Sequence, residues 1–252
     1  MADLSGIGVL LTRPAGENDP LAAVLRERGA DVFELPCGRI EHLEDVSELA
    51  AAVRALGPED RLVVTSGAGV DAVVRAVRPE EIRAPVAAVG PATARRCAER
   101  GLVAWTPSRP NGAALGAELP LASGIVLLAR ADRADREIVR QLEIRGARVR
   151  EVLAYRSVPG VEGDVVGARA GVASGALRTV VFYSPTSVDG LADAFGPASL
   201  RGLAFVTVGQ TTARHVRERL GTEAIVADST ALEDMLAAVA RAAQEVANVA
   251  RS

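Results

Sequence analysis

Hydroxyl side chains follow two short apolar runs of the chain, where they could help to bind an anion. Thr65 and Ser66 come directly after RLVV, and Ser184 comes after VVFY. A hydroxyl at the start of a helix caps its N–H groups, and the exposed N–H groups of a helix N-terminus bind phosphate or carboxylate. Capping alone would account for these residues, so the sequence leaves both roles open.

A second polar string occurs twice, as VGPATAR at 89–95 and as VGQTTAR at 208–214. Its glycine lets the backbone approach a ligand closely. Its threonines fall in a predicted first helical turn, where N–H and hydroxyl donors suit carboxylate recognition. A duplication would also copy a purely structural string, so the repeat alone does not decide between these roles. The candidate binding residues in the two strings are Gly90, Thr93, Gly209, Thr211 and Thr212.

Two arginines stand at the ends of apolar runs that match each other. Arg13 ends VLLTR, and Arg130 ends VLLAR. A guanidinium can hold a carboxylate in bidentate geometry. Alternatively, both arginines could simply be exposed to solvent. Their position at a strand end makes both arginines candidates for ligand contact.

Tyr155 lies in VLAYRSVP, residues 152–159, and is one of only two tyrosines. It could pack at a junction between two bodies of the chain. Alternatively, its phenol could donate a proton or a hydrogen bond to a leaving group. GAGVDA at 67–72 weakly matches a dinucleotide fingerprint. Because the acidic residue expected about twenty positions later is missing, we interpret it as a tight turn from strand to helix.

Composition excludes several classes of chemistry. All 29 basic residues are arginine, which excludes lysine Schiff bases and the Walker A loop. The net charge of −3 argues against nucleic-acid binding. Two cysteines and two histidines stand singly, without the spacing of a zinc site or a disulfide framework. They are Cys37, Cys97, His42 and His215.

The sequence contains neither a signal-peptide pattern nor an uninterrupted apolar run of about 18 residues. We therefore expect a cytoplasmic protein without a membrane partner.

Predicted strands and helices alternate along the chain, and the pattern repeats. VLLTR at 9–13 matches VLLAR at 126–130, which is an offset of 117, and three further blocks follow in the same order at offsets of 117 to 119. Alternation predicts parallel sheets covered by helices on both faces. In such sheets ligands bind beyond the carboxyl ends of the strands, where the candidate residues lie.

The ordered strings VLLTRP, VVTS, VGPATA, VLAYRSVP, FYSPTSV and VGQTTAR resemble those of the uroporphyrinogen-III synthases. The resemblance implies an α/β fold of two similar flavodoxin-like domains, each with a doubly wound parallel sheet, joined by a two-stranded antiparallel linker. The implied boundaries are 1–35 plus 158–252 for the first domain, 42–151 for the second, and 36–41 with 152–157 for the linker.

The resemblance also implies a reaction. A cyclising hydro-lyase of heme biosynthesis would convert hydroxymethylbilane to uroporphyrinogen III, inverting ring D through a spiro intermediate with loss of water and without a cofactor. Tyr155 would assist departure of the hydroxyl. The strand-end hydroxyls of the family fall on Ser66 and Ser184, and its helix-start threonines fall on Thr93 and Thr212.

The resemblance further implies a monomer that receives its substrate by hand-over from porphobilinogen deaminase. An alternative is a non-catalytic, two-domain protein that binds a small ligand or regulates on the same scaffold, because a fold does not fix a function. Formation of the type III isomer from hydroxymethylbilane would discriminate between the two.

Overall fold

The computed structural model describes residues 4–14, 18–132 and 136–249. The chain divides into two units, of which the first contains Met1–Arg39 and Val158–Ser252, and the second contains Ile40–Ser157.

Strands and helices alternate through the described residues. The strands are β1 (Gly8–Leu11), β2 (Asp31–Glu34), β3 (Gly38–His42), β4 (Arg61–Val64), β5 (Val86–Ala88), β6 (Ala104–Trp105), β7 (Ile125–Ala131), β8 (Arg148–Pro159), β9 (Leu177–Phe182), β10 (Ala204–Thr207) and β11 (Ile225–Val226). The helices are α1 (Asp19–Glu27), α2 (Ser47–Arg54), α3 (Gly67–Ala76), α4 (Pro91–Glu99), α5 (Gly112–Glu118), α6 (Glu137–Ile144), α7 (Val165–Ser174), α8 (Pro185–Phe195), α9 (Gln210–Leu220) and α10 (Leu232–Val249). Short 3-10 helices lie at Pro79–Glu81 and Pro197–Leu200.

The first unit contains a five-stranded sheet in the order β11-β10-β9-β1-β2. Its neighbouring strands are parallel. When the strands are numbered along this unit, the order is 2-1-3-4-5, which is the flavodoxin-like order.

The second unit contains most of a six-stranded sheet in the order β3-β8-β7-β4-β5-β6. The strands from β8 to β6 pair in parallel. If β7 is counted first, these five strands also follow the order 2-1-3-4-5. The second unit is therefore a circular permutation of the first, and the sequence repeat relates β1 to β7 and β9 to β4.

The central strands of both sheets are buried on both faces, as parallel sheets between helices require. In β1, Val9 and Leu11 belong to one apolar cluster, while Leu10 belongs to another. In β4, Leu62 and Val63 are likewise divided between two clusters. Each of the four clusters lies wholly within one unit. The prediction of doubly wound parallel sheets is confirmed.

Of the predicted linker segments, residues 38–41 lie on β3 and residues 152–157 lie on β8, and these strands are neighbours in the second sheet. β8 runs without interruption from Arg148 to Pro159. The assignment of 36–41 and 152–157 to a separate linker stays a prediction. None of the helices in the described part of the chain has the length and apolarity needed to cross a membrane.

Candidate functional site

The turn from β4 to α3 places Ser66 at the carboxyl end of the second sheet. Ser66 has an extended backbone and is the N-cap of α3, where its Oγ accepts a hydrogen bond from the N–H of Gly69. The N···O distance is 3.0 Å. Thr65 precedes it and is half-buried. Both residues thus lie where the sequence predicted, and Ser66 caps the helix.

Tyr155 is the second functional group at this edge of the sheet. It lies on β8, has 7% of its surface exposed, and packs in an apolar cluster with residues of β4 and α3. Its Oη lies 2.8 Å from Ser66 Oγ, and either oxygen can be the donor. The structure therefore brings together Tyr155 and Ser66, two residues that the sequence predicted separately.

Gly69 packs beside this contact. A Cβ at Gly69 would lie 3.4 Å from the carbonyl oxygen of Ala129 in β7 and 3.8 Å from Cε1 of Tyr155. A longer side chain would meet both groups, so a small residue keeps α3 close to β7 and to the phenol ring. GAGVDA lies inside α3, and its second glycine, Gly69, packs against β7 and the Tyr155 ring.

Helices α4 and α9 begin at Gly90 and Gly209, without a capping side chain. The first N–H groups of a helix have no partner within the helix and carry partial positive charge. These helix starts can therefore donate hydrogen bonds to an anion. The predicted threonines lie in the first turns, where Thr93 and Thr212 are buried and Thr211 is half-buried.

The two glycines have different surroundings. A Cβ at Gly90 would lie 2.6 Å from Cβ of Pro110, so packing requires glycine at this position. A Cβ at Gly209 would meet no heavy atom within 4 Å among the described residues. Its φ of −164° is ordinary extended backbone. Neither packing against the described residues nor backbone conformation therefore requires glycine at position 209, and close approach of a ligand stays a prediction.

The first unit repeats the helix cap, with Ser184 in place of Ser66. Ser184 caps α8 by accepting a hydrogen bond from the N–H of Ser187 at 3.2 Å. The Arg13 guanidinium lies 4.4 Å from the ring centroid of Tyr183, in a cation–π arrangement. Burial raises the pKa of the Tyr183 phenol, and the Arg13 charge partly opposes that shift. The ring thus packs against Arg13 near the carboxyl end of β1. Sequence reasoning missed Tyr183, although it follows β9 as Thr65 follows β4.

Arg130 occupies the position of Arg13 in the repeat but has a different partner. Its side chain is 8% exposed and forms an ion pair with Glu151 on β8. Arg136 lies 3.4 Å from the other oxygen of the same carboxylate. Glu151, which the sequence did not suggest, meets the Arg130 charge within the protein. Substrate binding by Arg130 stays a prediction.

Both cysteines are buried, and burial raises the pKa of the Cys37 thiol to about 12 and that of Cys97 to about 11. Neither thiol ionises near neutral pH, so neither is an activated nucleophile. In the described ranges, no three His, Cys, Asp or Glu side chains are grouped as metal ligands.

Comparisons with known proteins identify the family of the chain. The sequence profile of the family described as Uroporphyrinogen-III synthase HemD matches residues 19–237. A curated relative from Synechococcus elongatus, named uroporphyrinogen-III synthase, is 28% identical over 96% of this chain and 97% of its own length. A relative from Methanothermobacter thermautotrophicus, named putative uroporphyrinogen-III synthase, is also 28% identical, over 91% of this chain and 96% of its own.

Solved structures share the fold. A crystal structure of a mutant uroporphyrinogen III synthase from Thermus thermophilus covers 95% of this chain and 99% of its own, with 23% identity and a TM-score of 0.57. The uroporphyrinogen-III synthetase of Helicobacter pylori covers 91% and 96%, with 16% identity and a TM-score of 0.53. The profile match extends over most of the chain, and the chain belongs to the uroporphyrinogen-III synthase family.

Proposed function

We propose that this protein converts hydroxymethylbilane to uroporphyrinogen III, acting as a cyclising hydro-lyase of heme biosynthesis without a cofactor. The observation that carries the proposal is the family match over residues 19–237. The carboxyl ends of both sheets support it, because they hold hydrogen-bond donors and a buried phenol.

The substrate is a linear tetrapyrrole with many carboxylates, which need many donors. The uncapped starts of α4 and α9 supply N–H groups. Arg13, held against Tyr183, supplies a guanidinium. We assign substrate contact to these groups and to the strand-end hydroxyls. The full set is Arg13, Thr65, Ser66, Gly90, Thr93, Arg130, Ser184, Gly209, Thr211 and Thr212.

Tyr155 is the proposed catalytic residue. Its phenol donates a proton to the leaving hydroxyl, the carbon–oxygen bond breaks with the electron pair on oxygen, and water departs. The pyrrole nitrogen stabilises the resulting azafulvene. Attack by ring D at its substituted carbon gives the spiro intermediate, which fragments and recloses with ring D inverted. The proton released when the rings regain aromaticity returns to the phenolate, so Tyr155 is regenerated.

Positioning accounts for most of the proposed catalysis. Hydroxymethylbilane closes unaided to the type I isomer, so the protein must hold the chain in the shape that leads to the spiro intermediate. Donors distributed over several helix starts suit this task, because each can fix a different carboxylate. The protein would act as a monomer on substrate handed over by porphobilinogen deaminase.

Freshly prepared hydroxymethylbilane tests the proposal directly. The protein is added, the products are oxidised, and the type I and type III isomers are separated by chromatography. Type III should predominate, at a rate proportional to protein concentration. Type I alone, formed at the unaided rate, would overturn the proposal and favour a non-catalytic ligand-binding protein.

Tyr155→Phe removes the proposed proton donor and keeps the ring. We expect kcat for type III formation to fall about a hundredfold or more, as for a lost general acid, while Tm changes little because the ring still fills its site. Wild-type turnover in this variant would show that Tyr155 has only a structural role.

A further inference from the structure

Ser66 Oγ lies between two hydrogen-bond partners, the N–H of Gly69 at 3.0 Å and the phenol oxygen of Tyr155 at 2.8 Å. The amide can only donate, so it occupies one acceptor position of the serine oxygen. A hydroxyl has one proton to donate and two lone pairs. The remaining bond therefore has two forms, in which either Tyr155 donates to Ser66 or Ser66 donates to Tyr155.

The two forms have different chemical consequences. If the phenol donates to Ser66, its proton is directed towards the start of α3. If Ser66 donates, the phenol keeps its proton for another acceptor, and the serine hydroxyl also stabilises a phenolate once that proton has left. The positive end of the α3 dipole acts in the same direction. Only the second form suits a proton donor.

The repeat shows that capping does not require this contact. Ser184 occupies the place of Ser66 in the first unit and caps α8 through the N–H of Ser187. At the offset of 117 that relates VLLTR to VLLAR, the residue corresponding to Tyr155 is Gly38. The cap is thus present in both halves, whereas a phenol at the corresponding position occurs in one.

We propose that Ser66 is a positioning residue for Tyr155. It donates a hydrogen bond to Oη, directs the phenol proton to the leaving hydroxyl of the substrate, and stabilises the phenolate until its proton is restored. This inference rests on the proposed synthase activity and adds to it a role for Ser66 that acts through another residue.

Ser66→Gly is the most informative variant. Glycine is well tolerated as an N-cap, and α4 and α9 already begin at glycine in this chain. The variant therefore removes the hydroxyl with little loss of helix stability. We expect kcat for type III formation to fall about tenfold or more, as for one lost hydrogen bond to a charged group, and KM to change less than kcat.

A double-mutant cycle separates positioning from other roles. The kcat of Ser66→Gly combined with Tyr155→Phe should be no lower than that of Tyr155→Phe alone, because Ser66 affects the chemical step through the phenol. Ser66→Thr keeps a hydroxyl in the same place and should restore most of the turnover.

Asp164→Ala is the control for loss of a helix cap, since Asp164 caps α7 by accepting a hydrogen bond from the N–H of Gly167 at 2.7 Å. It should lower Tm and leave kcat unchanged.

Three results would overturn the inference. The first is a wild-type kcat in Ser66→Gly. The second is a double variant in which the losses of kcat from the two substitutions multiply. The third is a Ser66→Gly variant in which only KM changes. A wild-type protein that forms no type III isomer would instead overturn the proposed function, so the two failures are distinguishable in one set of assays.

Discussion

Arg13 and Arg130 show how one residue of a repeat acquires two environments. Arg13 lies over the Tyr183 ring, while Arg130 is buried beside Glu151. The residue that matches Glu151 is Glu34, whose carboxylate pairs instead with Arg26 at 2.8 Å. The first guanidinium is thus held by an aromatic face, and the second is paired with a carboxylate.

Replacing Glu151 by Gln tests the structural role of Arg130. The change removes the charge that faces a nearly buried guanidinium, and losing one partner of a fully buried pair costs about 3–5 kcal/mol. Because the Glu151 side chain is 33% exposed, we expect a smaller loss, about 1–3 kcal/mol, by urea denaturation.

Glu34→Gln is the matched control at the equivalent position. The Arg26–Glu34 pair is exposed at 53% and 31%, so its loss should cost about 0–1 kcal/mol. Equal losses in the two variants would contradict the assigned role of Glu151.

At the scale of elements, paired helices are joined by acidic residues that the repeat places in corresponding positions. Asp71 on α3 binds Arg96 and Arg100 on α4, at 2.7 and 2.8 Å. Asp189 on α8 lies 2.9 Å from His215 and 3.4 Å from Arg219 on α9. Each contact joins two helices, and α4 and α9 are the helices whose uncapped starts belong to the candidate site.

Asp71→Asn should destabilise the protein in a pH-dependent way. Burial raises the pKa of Asp71, but hydrogen bonds and charge from Arg96 and Arg100 outweigh that effect and hold the pKa below its ordinary value. The contribution is therefore complete above the unfolded pKa of about 4 and is lost as pH falls through the lower folded pKa. We expect urea denaturation at pH 6 to show a loss of about 1–2 kcal/mol. The difference from wild type should shrink below about pH 4, and a constant difference would refute this account.

Gly90 and Gly209, the N-caps of α4 and α9, allow a paired test of whether the substrate closely approaches the backbone at these helix starts. Gly90→Ala should lower Tm, because its Cβ would meet Pro110 at 2.6 Å and overpacking typically costs about 1–3 kcal/mol. Gly209→Ala meets no such neighbour and should leave Tm nearly unchanged while raising KM for hydroxymethylbilane. Unchanged kinetics in Gly209→Ala would exclude close approach of the substrate at α9.

The strands were predictable from the sequence because buried parallel strands are short apolar runs. IGVLLT at 7–12 contains β1, and RLVVTS at 61–66 contains β4, each ending where polar residues begin. The Ser66–Tyr155 contact was not predictable, because the residues are 89 positions apart and their strands are separated by β7. Only the order of strands in the sheet brings such groups together.

At the scale of the whole molecule, the repeat and the units do not coincide. The repeat divides the chain near residue 124, whereas the second unit is the continuous stretch Ile40–Ser157 and the first is built from both ends of the chain. Both units have the strand order 2-1-3-4-5, but the chain enters them at different strands. The first parallel strand of the second unit along the chain is β4, which corresponds to β9, the third strand of the first unit. A sequence repeat alone would have placed the boundary in the wrong position.

Because each apolar cluster contains residues of one unit only, we expect each unit to fold alone. The two clusters of the first unit contain only residues from 4–39 and 158–252. A Cβ at Gly38 would lie 3.7 Å from the carbonyl oxygen of Val158, so the two segments meet and a short glycine–serine linker can replace 40–157. We expect this shortened chain to show α/β circular dichroism and a cooperative thermal transition, and fragment 38–159 to do the same. Neither should form the type III isomer, since each lacks half of the proposed donors. A disordered fragment would show that its core depends on the rest of the chain.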